Sequence, residues 1–139
     1  MKKNILCISI LVVILICVCL ILKYNSKKTN NKNIENIPSN VSEVLSIEMK
    51  EETEGGYIYY KTEERELIEK IVNALNKIEI KGKTNIAFSD NTKTYTLKIS
   101  DGTMLTYCFQ NNYYNKDNVN YEIYNYQELM KIKIPEVNK

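Results

Sequence analysis

The side chains that most often carry enzyme chemistry are sparse in this chain of 139 residues, and histidine is absent. Without histidine, Ser-His-Asp and Cys-His nucleophile systems are excluded, as are most zinc sites. The glycines are not spaced as a phosphate-binding loop, and no pair of carboxylates stands out as the two groups that glycoside hydrolysis needs. We therefore predict no catalytic residue, no cofactor, no metal site and no enzymatic activity.

Two segments contain enough side-chain oxygens to be considered as calcium sites. Glu48–Glu54 contains four glutamates before a Gly-Gly turn, and we interpret it as the solvated tip of a hairpin. Asn115–Asn118 has the composition of a calcium loop, but Val119 stands where a ligand is needed and no glutamate closes the loop. Neither segment is predicted to bind a metal.

Tyrosine is the remaining candidate for recognition, with 11 residues in the chain. Its rigid apolar ring and polar tip suit stacking on sugars or peptides. Ordinary packing in a sheet is the simpler interpretation, because the composition is biased toward residues with A/T-rich codons and tyrosine favours strands. The candidate binding surface consists of two strand residues, two loop residues and one residue near the end of the chain, namely Tyr57, Tyr59, Tyr113, Tyr114 and Tyr121.

Ile5–Leu22 has the sequence of a membrane-inserting helix. It contains 18 residues without a charge, a glycine or a proline. As a helix it is about 27 Å long, close to the roughly 30 Å of a bilayer's hydrocarbon core. A small domain cannot bury a helix that is apolar on every side, so we predict a single-pass anchor, with the membrane as a partner.

The start of the chain resembles a signal peptide, which leaves the processing of the anchor open. The apolar run is longer than usual for a cleaved signal, and no Ala-x-Ala site follows it. Cys17 and Cys19 are candidates for lipidation, but Ile16 and Val18 precede them where lipoprotein signals have a small residue. We favour an uncleaved signal anchor over a processed lipoprotein.

The orientation of the anchor is predicted from the short positively charged segment before it, because the positive charges on its two sides nearly balance. Lys2 and Lys3 precede the anchor, and Lys23, Lys27 and Lys28 follow it, so the positive-inside count is nearly balanced. A four-residue head before an apolar run is typical of export signals. We predict an extracytoplasmic C-terminal domain at the cell membrane.

Two regions follow the anchor at residues 1–22. Residues 23–40 are polar, with only isolated apolar residues, and are predicted to be a flexible linker. Residues 41–139 suffice for one small domain. Residues 29–139 carry 14 basic and 17 acidic side chains, and this negative balance argues against nucleic acid as a partner.

Hydrophobic patterning in the domain predicts an α+β fold with an antiparallel sheet. Alternating and β-branched segments indicate strands, and the spacing of apolar residues in Thr62–Asn76 indicates an amphipathic helix packed on one face of the sheet. Thr62 is the expected N-cap, and Asn125 with Glu128 is expected to form a capping box for a last short helix. The element order is β-β-α-β-β-β-β-α, with one further strand considered near Ile86–Phe88. The predicted strands lie at residues 45–49, 57–60, 78–80, 95–99, 105–109 and 119–124.

The segment around Asp101-Gly102 predicts the strongest hairpin in the chain. A two-residue Asp-Gly turn would divide the apolar side chains between both faces of the sheet. A three-residue loop with Gly102 in the left-handed region gathers them on one face, and we prefer it. It pairs Ile99 with Thr103, Leu97 with Leu105 and Tyr95 with Tyr107. Cys108, the lone cysteine of the domain, then lies on the opposite face and is interpreted as a small, partly buried hydrophobe.

Four short marks suggest a family resemblance that covers most of residues 41–134. They are Leu45-Ser46-Ile47, the helix start at Thr62-Glu63, the turn Ile99-Ser100-Asp101-Gly102, and Tyr124-x-Tyr126-x-x-Leu129. With this arrangement the chain resembles the small uncharacterised extracytoplasmic domains that low-GC Gram-positive bacteria display on membrane or lipid anchors. The resemblance implies a location and a fold, and it supplies no catalytic residue.

The leading functional hypothesis is a non-catalytic, membrane-anchored extracytoplasmic domain that binds an envelope protein or a cell-wall component. The alternative is an accessory or immunity-type protein whose transmembrane helix carries the interaction. The two differ in whether the folded domain or Ile5–Leu22 makes the decisive contact.

Overall fold

The computed structural model describes residue 16 and residues 32–89 and 91–137. The predicted anchor Ile5–Leu22 and the lipidation candidates Cys17 and Cys19 lie outside the described residues, apart from Ile16. Within the described residues, no helix combines the length and apolarity needed to span a bilayer. The chain divides into two units, Met1–Asn31 and Lys32–Lys139, and the second contains the fold.

An eight-stranded antiparallel sheet dominates this unit, and two short helices accompany it, which confirms a mixed α+β fold. Its strand order is β1-β4-β8-β7-β6-β5-β2-β3. All six predicted strands and both helices are present in the predicted order, and β1 and β7 are additional; residues 86–88 are not a strand. The strands are β1 (Lys32–Asn33), β2 (Val44–Thr53), β3 (Gly56–Thr62), β4 (Glu79–Thr84), β5 (Lys93–Ile99), β6 (Met104–Gln110), β7 (Tyr113–Lys116) and β8 (Val119–Tyr124), and the helices are α1 (Arg65–Asn76) and α2 (Tyr126–Met130).

The β5–β6 hairpin has the register expected for the three-residue loop. Tyr95 lies opposite Tyr107 and Leu97 opposite Leu105, and the Ile99 N–H donates to the Thr103 carbonyl at 2.9 Å. Gly102 has φ = 90°, a conformation that glycine adopts without steric cost. The loop therefore places the apolar side chains of both strands on one face.

Helix α1 packs on that face and forms the main core with it. Its buried side chains recur at helical spacing and belong to the same cluster as Ile47, Leu97 and Phe109. The helix begins at Arg65, later than the predicted start at Thr62, which is buried at the end of β3. The Thr62 hydroxyl accepts from the Glu64 N–H at 3.1 Å, so it stabilises the approach to the helix. The buried residues of α1 are Ile68, Ile71, Val72, Ala74 and Leu75.

The last helix, α2, begins without the predicted capping box. Asn125 is in the left-handed conformation with φ = 65°, and its side chain makes no cap hydrogen bond. Its amide instead donates to the Lys77 carbonyl at 3.1 Å, and Glu128 pairs with the Lys77 ammonium at 2.9 Å. These residues therefore join α2 to the end of α1.

The folded unit begins at Lys32, earlier than the predicted boundary at residue 41. Strand β1 pairs with β4, Ile34 is buried in the core, and the Tyr107 hydroxyl donates to the Asn36 carbonyl at 2.8 Å. The prediction of a flexible linker is thus corrected for residues 32–40. Their composition is polar, but ladder hydrogen bonds and one buried apolar side chain offset the entropy of ordering.

The C-terminal residues extend the sheet along the outer edge of β3. The Lys61 N–H donates to the Pro135 carbonyl at 3.1 Å, and the Val137 N–H donates to the Tyr59 carbonyl at 2.8 Å. Proline fits here because the contact uses its carbonyl and needs no N–H. This short segment satisfies part of an otherwise exposed strand edge.

Candidate functional site

The second face of the sheet carries polar and aromatic side chains, and the described helices lie on the other side. Successive side chains of a strand point to opposite faces, so the residues between the core positions form this surface. We call it the open face. It includes Glu48, Lys50, Glu52, Tyr57, Tyr59, Lys61, Thr94, Thr96, Lys98, Met104, Thr106 and Cys108.

Cross-strand pairing arranges the open face in two rows that run across four strands. Directly opposite residues of antiparallel strands place their side chains on the same face, within contact distance. The first row therefore combines paired charges with hydroxyls, and the second combines an aromatic ring and an ammonium with a hydroxyl and a thiol. The first row is Lys61, Glu48, Thr96 and Thr106. The second row is Tyr59, Lys50, Thr94 and Cys108.

A groove of about 490 Å³ lies on the open face where β3, β2 and β5 meet. Its lining includes Tyr59 from the edge strand, Thr94 and Thr96 from β5, and Val137 from the C-terminal segment. The volume falls within the range of small-molecule sites. The C-terminal segment thus helps to shape the groove as well as covering the edge of β3.

Charges beside the groove are paired within the protein. The Lys61 ammonium lies 2.7 Å from the Glu63 carboxylate. This contact raises the pKa of Lys61 and lowers the pKa of Glu63. Both side chains are largely exposed, so solvent screens the pair and its contribution to folding is small.

A second polar network holds Tyr57 at the hairpin end of the open face. The Lys50 ammonium lies 4.6 Å from the centroid of the Tyr57 ring, within the range of a cation–π contact. The Tyr57 hydroxyl donates to Glu52 at 3.5 Å, and the Thr92 hydroxyl donates to the same carboxylate at 2.9 Å. The ring is therefore positioned but still 53 % exposed.

The structure divides the five tyrosines of the predicted surface between two environments. Tyr57 and Tyr59 lie exposed on the open face. Tyr113 and Tyr114 lie on β7 rather than in a loop, and Tyr114 is only 3 % exposed. Tyr121 is partly buried against the core, with its ring centroid 6.3 Å from that of Tyr114. Of the five, only Tyr57 and Tyr59 share one exposed site.

The glutamates of Glu48–Glu54 do not converge, because neighbours on a strand point to opposite faces. Glu51 points toward the face on which α1 packs, which we call the covered face. There it pairs with Lys93 at 3.1 Å and accepts from the Tyr60 hydroxyl at 3.2 Å. Burial is the main cause that raises the pKa of Tyr60, and Glu51 adds to it. Glu48 and Glu52 lie on the open face. No group of three metal-ligating side chains occurs among the described residues.

The segment Asn115–Asn118 is a hairpin turn between β7 and β8. Asp117 and Asn118 have φ of 51° and 63°, and Lys116 lies opposite Val119. Two successive left-handed residues suit a two-residue hairpin loop. The backbone conformation of the turn therefore explains Asp117 and Asn118, while Asn115 is a strand residue opposite Asn120.

Cys108 is partly buried and lines a second cavity of about 280 Å³. It is opposite Thr94 on β5 and Asn115 on β7. This is the position predicted from the hairpin register. The thiol shares the open face with the threonines.

The threonines of the open face are candidate binding residues that were not predicted from the sequence. The signal was present, because Thr94 and Thr96 alternate with Tyr95 and Leu97 along one strand. A strand with one apolar and one hydroxyl-bearing side has one buried and one solvated face. The side of the strand that carries the hydroxyls could therefore have been predicted as a candidate binding surface from the assignment of the apolar side to the core.

No protein-family model matches the chain, and comparisons with curated proteins and with solved structures found no match.

Proposed function

We propose that the chain is a non-catalytic, membrane-anchored protein whose extracytoplasmic domain binds an envelope protein or a cell-wall component through the open face. The observation that carries the proposal is the groove beside the exposed rings of Tyr57 and Tyr59. Exposed tyrosines combine apolar area with a hydrogen-bonding tip, at a low entropy cost on binding. The anchor in this proposal is Ile5–Leu22.

The geometry favours binding over catalysis at this surface. The groove is open, its lysines and glutamates are paired or exposed, and its hydroxyls belong to threonines on a regular strand. No histidine is present in the chain to act as a base for such a hydroxyl. The open face therefore offers contacts to a ligand and no arrangement for activating a nucleophile.

The test compares two arginine substitutions in the full chain, purified in detergent. Thr96→Arg places a large charged side chain in the middle of the open face. Asn73→Arg adds the same side chain to an exposed position of α1 and is the matched control. Both variants should keep the circular dichroism and thermal unfolding of the wild type, because both positions are at the surface.

Retention on isolated cell-wall material and on solubilised envelope proteins is then measured for each form. We expect the wild type and Asn73→Arg to be retained on one of the two, and Thr96→Arg to be lost from it. Equal retention of Thr96→Arg would refute the proposal, as would absence of wild-type retention on both materials.

Exchange of Ile5–Leu22 for an unrelated transmembrane helix tests which region makes the contact. We expect the exchanged protein to keep its retention on the same material, because the open face belongs to the folded unit. Loss of retention in a correctly inserted exchanged protein would contradict the proposal in favour of a membrane helix that itself carries the interaction.

A further inference from the structure

The charges around the groove cancel each other. Lys50, Lys61 and Lys98 are the cations of the open face, and Glu48 lies opposite Lys61 in the β2–β3 ladder. Glu63 makes a direct ion pair with the Lys61 ammonium. Together with Glu52, which also lies on the open face, three cations and three anions leave no net charge to attract a polyanion or a polycation, and exposed charges are screened in any case.

Hydroxyl groups supply the hydrogen-bonding capacity that remains. Thr94 and Thr96 line the groove, and the Thr96 and Thr106 hydroxyls lie 3.5 Å apart. A hydroxyl both donates and accepts, and it can rotate to suit its partner. Such groups match a ligand whose own polar groups are hydroxyls and amides.

Two tyrosines line the groove, and of these Tyr59 has its side chain on the open face, whereas Tyr60 lies opposite Met49 on the covered face. Tyr59 is part of the lining, whereas Tyr57 lies beside the groove with the Lys50 ammonium over its ring. The two tyrosines are two residues apart on β3 and so lie about 7 Å apart on the same face. The apolar face of a sugar ring is a suitable partner for such an aromatic surface, which combines an apolar body with a polar tip.

The size of the groove favours a short segment of a polymer over a folded partner. Its volume of about 490 Å³ is that of a small-ligand site. A stable protein interface typically needs about 800 Å² from each partner, with a well-packed apolar centre. On the open face, the groove instead presents the ring of Tyr59, the hydroxyls of Thr94 and Thr96, and charged groups of both signs.

From these observations we infer that the groove binds an uncharged glycan, with Tyr59 stacking on a sugar ring and Thr94 and Thr96 hydrogen bonding to its polar groups. The inference rests on the proposed function and names its ligand class. Because the glycan is uncharged and the charges of the open face balance, binding depends little on ionic strength.

The experiment titrates the full chain, in a detergent without a sugar headgroup, with three neutral hexasaccharides: chitohexaose, cellohexaose and maltohexaose. Heparin is the polyanionic comparison. Calorimetry measures affinity at low and high salt. We expect at least one neutral hexasaccharide to bind with an affinity that salt leaves unchanged, and heparin to bind more weakly.

Three variants locate the site. Tyr59→Ala should weaken binding by about tenfold, the effect of losing one aromatic contact. Thr94→Val should also weaken it while keeping the shape of the side chain. Tyr124→Ala is the matched control, because Tyr124 is 44 % exposed on another strand with the Lys81 ammonium 5.5 Å from its ring centroid, and it should bind as the wild type does.

The outcomes separate this inference from the proposed function. Absence of binding to all three neutral glycans, preference for heparin, or an unchanged affinity in Tyr59→Ala would each overturn the glycan assignment. If Thr96→Arg still abolished retention on envelope material in that case, the proposed function would stand with another ligand. If Thr96→Arg had no effect on retention, both would fail.

Discussion

The two faces of the sheet use the same strands and both contain tyrosines, but they differ in what lies over them. The covered face contains Tyr95, Tyr107 and Tyr114, all buried, and the open face contains Tyr57 and Tyr59, both exposed. Tyrosine content therefore does not identify a binding surface in this chain. The position of each tyrosine in the period-two alternation, together with the location of the helices, decides whether the ring packs in the core or meets a ligand.

The largest expected difference between the faces is in the cost of removing a side chain. Leu97 is 0 % exposed, and Leu97→Ala should lower the free energy of unfolding by about 2–5 kcal/mol because it leaves a cavity. Thr96→Ala, at the neighbouring position on the open face, should change it by less than about 0.5 kcal/mol. Urea unfolding of the unit Lys32–Lys139 measures both. Similar losses at the two positions would show that something also packs on the open face.

Buried tyrosines should make the covered face sensitive to alkali. Burial raises the pKa of Tyr95, Tyr107 and Tyr126 above the ordinary value of 10.0. Above that value the unfolded chain loses phenolic protons that the folded chain keeps, so stability is fully present below about pH 10 and falls as the pH rises further. Thermal unfolding across this range should show the fall. Tyr95→Phe should reduce its slope, and an unchanged slope would contradict the assignment to that ring.

Gly102 tests the register that separates the faces. Its φ of 90° is unfavourable for other residues, so Gly102→Ala should cost about 1–2 kcal/mol in the free energy of unfolding. Gly82→Ala is the control, because its added Cβ meets nothing within 4 Å and its backbone does not require glycine. Urea unfolding compares the two variants. A smaller loss in Gly102→Ala than in Gly82→Ala would argue against the three-residue loop.

One hydroxyl on each face gives a smaller and more local comparison. Tyr107→Phe removes the hydrogen bond to the Asn36 carbonyl, and we expect a loss of about 0.5–1.5 kcal/mol in the free energy of unfolding. Tyr57→Phe removes only a long, exposed contact to Glu52 and should have almost no effect. Equal effects in urea unfolding would contradict the docking of residues 34–36 through Tyr107.

Patterning predicted the strands and their register because both depend on the burial of one face. The Ile99–Thr103 loop could be chosen from sequence, since only one loop length gathers the apolar residues together. Strand β7 was missed because Tyr113-Tyr114-Asn115-Lys116 has no clear alternation, and its pairing depends on turns formed by asparagines at positive φ. Single-residue asparagine turns are weak signals in a chain with 18 asparagines.

The candidate site was less accessible than the fold because it depends on tertiary placement. Tyr57 and Tyr114 are equivalent by residue type and strand propensity, and only the packing of residues 34–40 and of the helices separates them. Val137 reaches the groove through backbone pairing with β3, which no local pattern indicates. Sequence therefore named five tyrosines as a candidate surface beside the simpler interpretation of sheet packing, and the structure was needed to find which two are exposed together.

The smallest expected effect compares two ion pairs. The first joins Glu35 to Lys116 and helps to hold residues 34–36. The second joins Lys61 to Glu63 beside the open face. Lys116 and Lys32 lower the pKa of Glu35 from 4.5 to about 2, and Lys61 lowers the pKa of Glu63. A carboxylate with a lowered pKa contributes stability above its ordinary pKa and loses that contribution as the pH falls toward the lowered value. Both pairs are exposed, so solvent limits each contribution.

Side-chain NMR titration should place the Glu35 midpoint well below that of an ordinary glutamate. Glu35→Gln should slightly reduce the loss of thermal stability as the pH falls from 4.5 to about 2. Glu63→Gln is the comparison at the open face. An ordinary midpoint for Glu35 would show that residues 34–36 are held by the Tyr107 hydrogen bond and the burial of Ile34 without help from charge.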